Sequence, residues 1–365
     1  MNIIYTESSS DTGRQGLQAI AQMNAMMRAG HQVILACQKH SQIARDAVNH
    51  GIPTVYIPFR NNLYLPSIIS LRRLIVTFRP DIVICHSDYD NNITGIVKAF
   101  LFGQIRHFRI IRQKNNCPRK IKMFSLNYMS DVIVVPSWKI RSRLIHERCK
   151  QLVVVIPPGV DFSVLRQQAD MALPTHINVW LNCREPAPVI VQAAMIYPEK
   201  GVHFMLNVLH CLRQKGLSFY WLIAGSGSRE HENLLKEEIK NLNMEDCVLM
   251  CGALTPVAPL YRIASLLVMP SECEAFDPTI VEATACGVPV MASSTGGITE
   301  IIQNGRTGTL ISQNDKMAWI NALENFLIAP EFAQKVAIYA NEDIKLRHNI
   351  DGTARKLIEL GKYYR

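Results

Sequence analysis

No stretch of this chain approaches the roughly 18 consecutive apolar residues of a membrane-spanning helix, which argues against an integral membrane protein. The opening, MNIIYTESSSDTG, holds a short apolar run with no charged segment before it, so no secretory signal is expected. The ten cysteines form no C-x-x-C pair and have no histidine partners at ligand spacing. A zinc ribbon or disulfide framework is therefore set aside, and the thiols are expected as small buried residues in a reducing compartment. No cluster of His, Asp and Cys has metal-ligand spacing; Asp88 and Asp90, in HSDYDNN, read as a solvated loop rather than a D-x-D metal site. Helix-turn-helix, zinc-finger and RNA-recognition signatures are lacking, and no nucleic-acid partner is expected. GSGSRE carries Glu230 where a dinucleotide fingerprint needs its third glycine, which sets NAD aside. There is no internal repeat and no low-complexity tract.

What the chain does have is length for two cores and an uneven charge. Its 365 residues make two domains the default. The net charge of +9 divides into +13 over residues 1–158 and −4 over 159–365. Residues 104–150 hold 12 Lys and Arg against Asp131 and Glu147, interleaved with Phe, Ile, Met and Trp. Such a face attracts anionic lipid head groups, at about 1 kcal/mol per cation near the surface. A merely solvated basic face is the plainer alternative.

Short apolar runs alternate with helical stretches, the pattern of a parallel sheet buried on both faces. The first set is Ile3–Tyr5, Val33–Ala36, Thr54–Ile57, Ile82–Cys85, Arg109–Ile111, Val132–Val135 and Val153–Ile156. A stretch rich in proline and polar residues, from IPPGVDFSVL to MALPTHINVWLNCREPAPV, reads as a loop-rich hinge. Alternation then restarts with Val189–Ala194, Phe219–Ala224, Val248–Cys251, Leu266–Met269, Val288–Ala292 and Thr309–Ile311, and helices close the chain over about 315–327, 331–341 and 350–361. The expected class is α/β, with two doubly wound domains facing across a cleft.

The richest segment is PSECEAFDPTIVEATACGVPV. The run Leu266–Met269 stops at Pro270, and a polar loop carrying Glu274 follows. Asp277 and Pro278 then read as the N-cap and first residue of a helix, with Glu282 about one turn inside it. One carboxylate thus sits at the carboxyl end of a strand and the other just behind it, along the edge where open α/β sheets bind ligands. Lys200, in YPEKG, follows the first strand of the second half, and Gly225 and Ser226 follow its second strand. A compact ammonium and a glycine turn suit an anion there, although a surface lysine and a plain tight turn are the bland alternatives.

Taken together these residues resemble the retaining family 4 glycosyltransferases of the GT-B fold. ECEAFDPTIVEATACGVPVMAS resembles that family's Glu-x7-Glu motif, PEKGV its phosphate-binding Lys-Gly turn and WLIAGSGS its glycine-containing strand end. GGITEII and NGRTGTLI resemble its two later loops, VVVIPPGVD its interdomain segment and SSSDTGRQG its N-terminal glycine loop. The resemblance implies a donor site in the second half. There Lys200 neutralises a leaving diphosphate, Glu282 binds the ribose, and Glu274 lies beside the sugar and its anomeric centre. Gly225, Ser226, Ala253, Phe276 and Asp277 complete the donor contacts. Gly13, Arg14, Gln15 and Gly16 would meet the acceptor, and His86 would act beside the transferred sugar. Two departures stand out. Ala194 and Met195 occupy the place of the family's Gly-Arg, and Asn115 or Asn116 stands where a histidine is common.

The implied protein is a retaining glycosyltransferase, moving a sugar from a nucleotide-sugar donor to a lipid-linked glycan. Lipopolysaccharide core or O-antigen assembly is the favoured setting, at the inner face of the cytoplasmic membrane. No cofactor and no metal are expected, the nucleotide sugar being a substrate. The implied domains are 1–160 for the acceptor, 161–342 for the donor, and a C-terminal helix within 343–365 returning to the first. A catalytically inactive GT-B-shaped binding subunit and a transferase with a soluble acceptor are the alternatives.

Overall fold

A computed structural model describes residues 1–9, 13–61, 63–101, 103, 107–115 and 121–362, apart from the side chain of Arg14. Asn116, Cys117 and the basic residues Arg106, Arg119 and Lys120 lie outside the described residues. The chain forms two α/β units, one of residues 1–161 with 348–365 and the other of 162–347.

The first unit holds a seven-stranded parallel sheet: β1 (Asn2–Glu7), β2 (Gln32–Cys37), β3 (Thr54–Tyr56), β4 (Ile82–Cys85), β5 (Arg109–Gln113), β6 (Val132–Val135) and β7 (Leu152–Val155). Its order is β3-β2-β1-β4-β5-β6-β7. Side chains alternate across the pleat. Ile3 and Tyr5 enter one core with Val33, Leu35, Ile82 and Ile84, while Ile4 enters the other with Ala36, Val83 and Cys85. Burial on both faces is why these strands read as continuous apolar runs.

The second unit holds a six-stranded parallel sheet: β8 (Val189–Ala193), β9 (Tyr220–Ala224), β10 (Val248–Gly252), β11 (Leu266–Met269), β12 (Val290–Ser293) and β13 (Thr309–Ile311). Its order is β10-β9-β8-β11-β12-β13. Each sheet therefore reverses its winding once, between β1 and β4 in the first and between β8 and β11 in the second. At such a reversal two loops leave neighbouring strands in opposite directions and open a crevice at the carboxyl edge.

Two expectations need correction here. The supposed loop-rich hinge contains the helices Phe162–Ala169 and Thr175–Asn182, which bury Leu165, Ala169 and Ile177. Each is only eight residues long, too short to show helical periodicity between flanking prolines, and Pro174 sits in the N-cap position of the second. The cysteines also divide: Cys37, Cys85, Cys247 and Cys251 are buried, but Cys183 and Cys273 are exposed.

The unit boundary near the C-terminus has a local cause. The helix Glu331–Arg347 stays with the second unit because the Arg347 guanidinium donates to the carbonyls of Glu300 and Ile301, at 3.1 and 2.7 Å. Next, Val160 N–H donates to the His348 carbonyl at 2.7 Å and Ile350 N–H to the Val160 carbonyl at 3.1 Å, tying the returning chain to the first unit. The helix Ile350–Lys362 then buries Ile350, Ala354, Leu357 and Ile358, at helical spacing, in the core beneath the helix Gly13–Arg28.

Candidate functional site

Lys200 and Glu274 stand on the two loops of the second unit's winding reversal. After β8 the chain makes a single 3-10 turn, Pro198–Lys200, and enters the helix Val202–Gln214 through Gly201 at φ 68°. A Cβ at Gly201 would lie 2.2 Å from the Pro270 carbonyl oxygen, so only glycine lets this turn approach the loop after β11. The buried Gln192 of β8 donates to the Lys200 carbonyl at 3.0 Å and fixes the turn from below. Lys200 Nζ forms an ion pair with Glu274 Oε1, and the side chains are only 19% and 10% exposed.

The Glu274 backbone is clamped from the loop after β12. Gly297 N–H donates to the Glu274 carbonyl at 2.7 Å, and Thr295 Oγ1 donates to the Glu272 carbonyl at 2.8 Å. A Cβ at Gly296 or Gly297 would lie 1.9 Å from the Glu274 oxygen or 2.0 Å from the Ala275 oxygen. Burial raises the Glu274 carboxyl above the ordinary carboxylate range and the neighbouring Asp277 charge raises it further; Lys200 and the Ser271 hydroxyl act the other way.

Asp277 caps the helix Pro278–Ala285, accepting from Thr279 N–H at 2.9 Å and from the Thr279 hydroxyl. Its carboxylate thus takes one of the N-terminal N–H groups, and Pro278 supplies none. Only the next N–H groups of that turn remain for an anion. Asp277→Ala is expected to lower stability by about 1 kcal/mol through the lost cap and to lower the Glu274 carboxyl's protonation range. Urea unfolding and a carboxyl NMR titration read the two effects, and an unshifted titration would remove Asp277 from Glu274's field.

Glu282, half-buried on that helix, accepts from the Tyr261 hydroxyl at 3.1 Å. Phe276 is half-buried in the loop between Glu274 and Asp277. Gly225 and Ser226 directly follow β9, and Ala253 is exposed just past β10. The Gly225 N–H donates to the Gly252 carbonyl at 2.8 Å and the Gly227 N–H to Glu232 Oε1 at 2.9 Å. Most donors of this turn therefore serve the fold. Gly225 itself is required because a Cβ would lie 1.9 Å from the Ala194 oxygen.

The first unit's reversal holds a buried charged network that sequence reasoning largely missed. His86, at the end of β4, is 3% exposed and stacks on Tyr5 with centroids 5.5 Å apart. Its Nδ1–H donates to the Thr6 carbonyl at 3.2 Å, which leaves Nε2 as the ring's acceptor. Burial holds this imidazole below its ordinary range, against the opposing pull of Glu7. Gln15 donates to Glu7 Oε2 at 2.9 Å and to the His86 carbonyl at 3.2 Å, so it joins the two loops. Gly13 opens the helix Gly13–Arg28 at φ 46°, Arg14 follows with its side chain outside the described residues, and Gly16 is buried.

Asp88 and Asp90 do not form a solvated loop. They lie in the first turn of the helix Asp88–Phe100, and Asp90 is fully buried as the third residue of a capping box with Ser87. It accepts from Ser87 N–H, Asn91 N–H, His86 N–H and the Thr6 hydroxyl. Burial first, then the Glu7 charge, pushes the Asp90 carboxyl up to about 7, against Arg112. Arg112, buried on β5, donates to the Cys85 and Gln113 carbonyls and pairs with Asp88 at 3.2 Å. The one signal in the sequence was a charge ending an apolar strand, as in IIYTE. Among the described residues no group of three or more His, Cys, Asp or Glu is placed to hold a metal ion.

The chain matches the family described as Glycosyltransferase Family 4 over residues 18–164 and that described as Glycosyl transferases group 1 over 180–343. The D-inositol 3-phosphate glycosyltransferase of Corynebacterium urealyticum is 28% identical over 218 residues, covering 58% of this chain and 51% of the relative. The chain thus spans about half the length of the curated relatives it matches. A glycosyltransferase from Rickettsia africae ESF-5 superposes with TM-score 0.84 at 21% identity, covering 99% of this chain and 97% of that one. Anabaena Alr3699/HepE, solved in complex with UDP, superposes with TM-score 0.82 at 16% identity, covering 99% of each. The two parallel Rossmann-like sheets share the fold of these GT-B proteins.

Proposed function

We propose that this chain, joining a family 4 glycosyltransferase region to a group 1 glycosyl transferase domain, transfers a sugar from a nucleotide-sugar donor to a hydroxyl acceptor with retention. One observation carries the reading: an ammonium and a carboxylate, 74 residues apart, meet where β8 and β11 wind apart. In the reaction the bond from the anomeric carbon to the diphosphate oxygen breaks and a bond to the acceptor oxygen forms. The departing phosphate takes the acceptor's proton on the same face. Lys200 neutralises charge growing on the diphosphate, and Glu274 stabilises the electron-poor sugar. Glu282, oriented by Tyr261, accepts from the ribose hydroxyls. No metal is needed in this scheme. Uridine diphosphate is the favoured carrier, since UDP occupies the Anabaena neighbour.

The acceptor belongs in this reading to the first unit, through Gly13 to Gly16 and His86. A phosphorylated hydroxyl compound fits both the basic first half and the inositol 3-phosphate for which the relatives are named. A lipid-linked glycan of the lipopolysaccharide core or O-antigen kind remains the favoured form. No helix among the described residues is long and apolar enough to cross a membrane. Peripheral attachment to an anionic inner-membrane surface is supported by exposed Phe124, Tyr128 and Trp138 on the first unit, with Lys150 and Arg141 over two of those rings.

The test is a thermal-shift screen with UDP-, GDP- and ADP-sugars followed by turnover. A donor at 100 times its Kd should add about 2.7 kcal/mol of stability, and Glu274→Ala should abolish release of nucleoside diphosphate. Donor binding without turnover in the native chain would favour an inactive binding subunit instead. Binding to anionic vesicles that weakens with salt separates a membrane-held acceptor from a soluble one.

A further inference from the structure

We infer that Glu274 sets the discrimination between a nucleotide sugar and the free nucleoside diphosphate, because it competes with the diphosphate for the Lys200 ammonium. The inference rests on the donor-site reading above and adds to it a role in releasing product.

The starting point is that Lys200 is already engaged. Its Nζ pairs with Glu274 Oε1, both side chains are largely withdrawn from water, and both backbones are fixed by close approaches that leave no room for a Cβ. Lys200 is the cation that favours ionised Glu274, whereas Asp277, itself buried, opposes it. A carboxylate in this position depends on its counter-ion, since removing one partner of a buried pair leaves an uncompensated charge.

Two ligands then have different consequences. A free nucleoside diphosphate draws the ammonium to its phosphates and brings nothing for Glu274, which is left beside Asp277 without a cation. A nucleotide sugar draws the ammonium in the same way but carries sugar hydroxyls that donate to the vacated carboxylate. The loss on one side is offset on the other only when the sugar is present. After transfer the sugar departs with the acceptor, Glu274 loses the sugar's hydroxyl donors, and the pair reforms as the diphosphate leaves. The ion pair thereby weakens product binding more than donor binding, the direction that favours turnover when product release limits the rate.

Calorimetric titration of UDP, UDP-glucose and uridine into the native chain, Glu274→Gln and Lys200→Ala tests this. The glutamine is isosteric and leaves the loop backbone unchanged. Glu274→Gln is expected to bind UDP about tenfold more tightly, about 1.4 kcal/mol, while UDP-glucose is unchanged or weaker and uridine is unchanged. The native preference for donor over product then collapses. If Lys200→Ala weakens UDP but Glu274→Gln leaves it unchanged or weaker, the competition is overturned and the donor site stands. Tighter uridine binding in Glu274→Gln would also overturn it, because the effect would not run through the phosphates. If Lys200→Ala binds UDP as the native chain does, the donor-site reading itself fails.

Discussion

Gly296→Ala is expected to dislodge the Glu274 loop and abolish donor binding together with several degrees of thermal stability. The residue sits at φ 55°, and a Cβ would lie 1.9 Å from the Glu274 carbonyl oxygen, 2.9 Å from its carbon and 3.0 Å from its nitrogen. All three are backbone atoms, so no side-chain rotation relieves the clash. Either the loop after β12 or the loop after β11 must move. The Gly297 N–H bond to that same oxygen, at 2.7 Å, is lost in either case. The penalty combines a left-handed backbone with forced displacement and should reach roughly 3 kcal/mol, at the upper end of ordinary substitutions. Thermal unfolding gives the stability change and calorimetry with UDP-glucose the binding change. Gly305→Ala is the control, since it too has positive φ, 74°, but open space around its Cβ. Equal effects at both positions would mean that backbone conformation alone, and not the clamp on Glu274, decides the outcome.

The second large effect concerns pH. Asp90 is raised in the folded chain from 3.8 to about 7, so the folded state holds its proton where the unfolded state has released it. Where the folded state binds more protons, stability falls as pH rises. The Asp90 contribution is full below about 4, declines across pH 4 to 7 and is gone above. Three units correspond to on the order of 4 kcal/mol. His86 acts in the opposite sense, because its range is lowered by burial and its contribution is lost as pH falls. The groups facing Asp90 are Glu7 on β1, Cys85 and His86 at the end of β4, and Arg112 on β5. Comparing native and Asp90→Asn chains isolates the one carboxyl. Urea midpoints from pH 4.5 to 7.5 should show the native chain losing stability relative to the variant as pH rises. A constant difference would mean that Asp90 is ionised throughout, held by the backbone N–H groups and hydroxyls that donate to it.

How much of this could be read beforehand differs between the two reversals. In the second unit Lys200, Glu274, Asp277 and Glu282 are each legible, because Lys200 stands in the turn after β8 and the other three in the short segment that leads from β11 into the next helix. Gln192 was legible only as a polar residue interrupting VIVQA. In the first unit Asp90 reads as part of a solvated loop, and nothing in the sequence marks Glu7 or Arg112 as buried. Their burial arises from three strands, β1, β4 and β5, lying side by side, and no local pattern carries that. The two short helices before β8 were hidden for the opposite reason, since eight residues bounded by prolines leave no period to detect.

The sequence by itself determined the α/β class, the parallel strands and the loop or helix on which Lys200, Glu274, Asp277 and Glu282 stand, because apolar periodicity, capping residues and glycine turns act over a few residues. Only the tertiary structure decided that Lys200 meets Glu274, that Gly296 and Gly297 hold the Glu274 backbone, and that Asp90 loses its water. Those outcomes depend on which strands become neighbours. The order of strands follows from how apolar faces of separate segments bury one another, and that is a property of the whole chain rather than of any stretch of it.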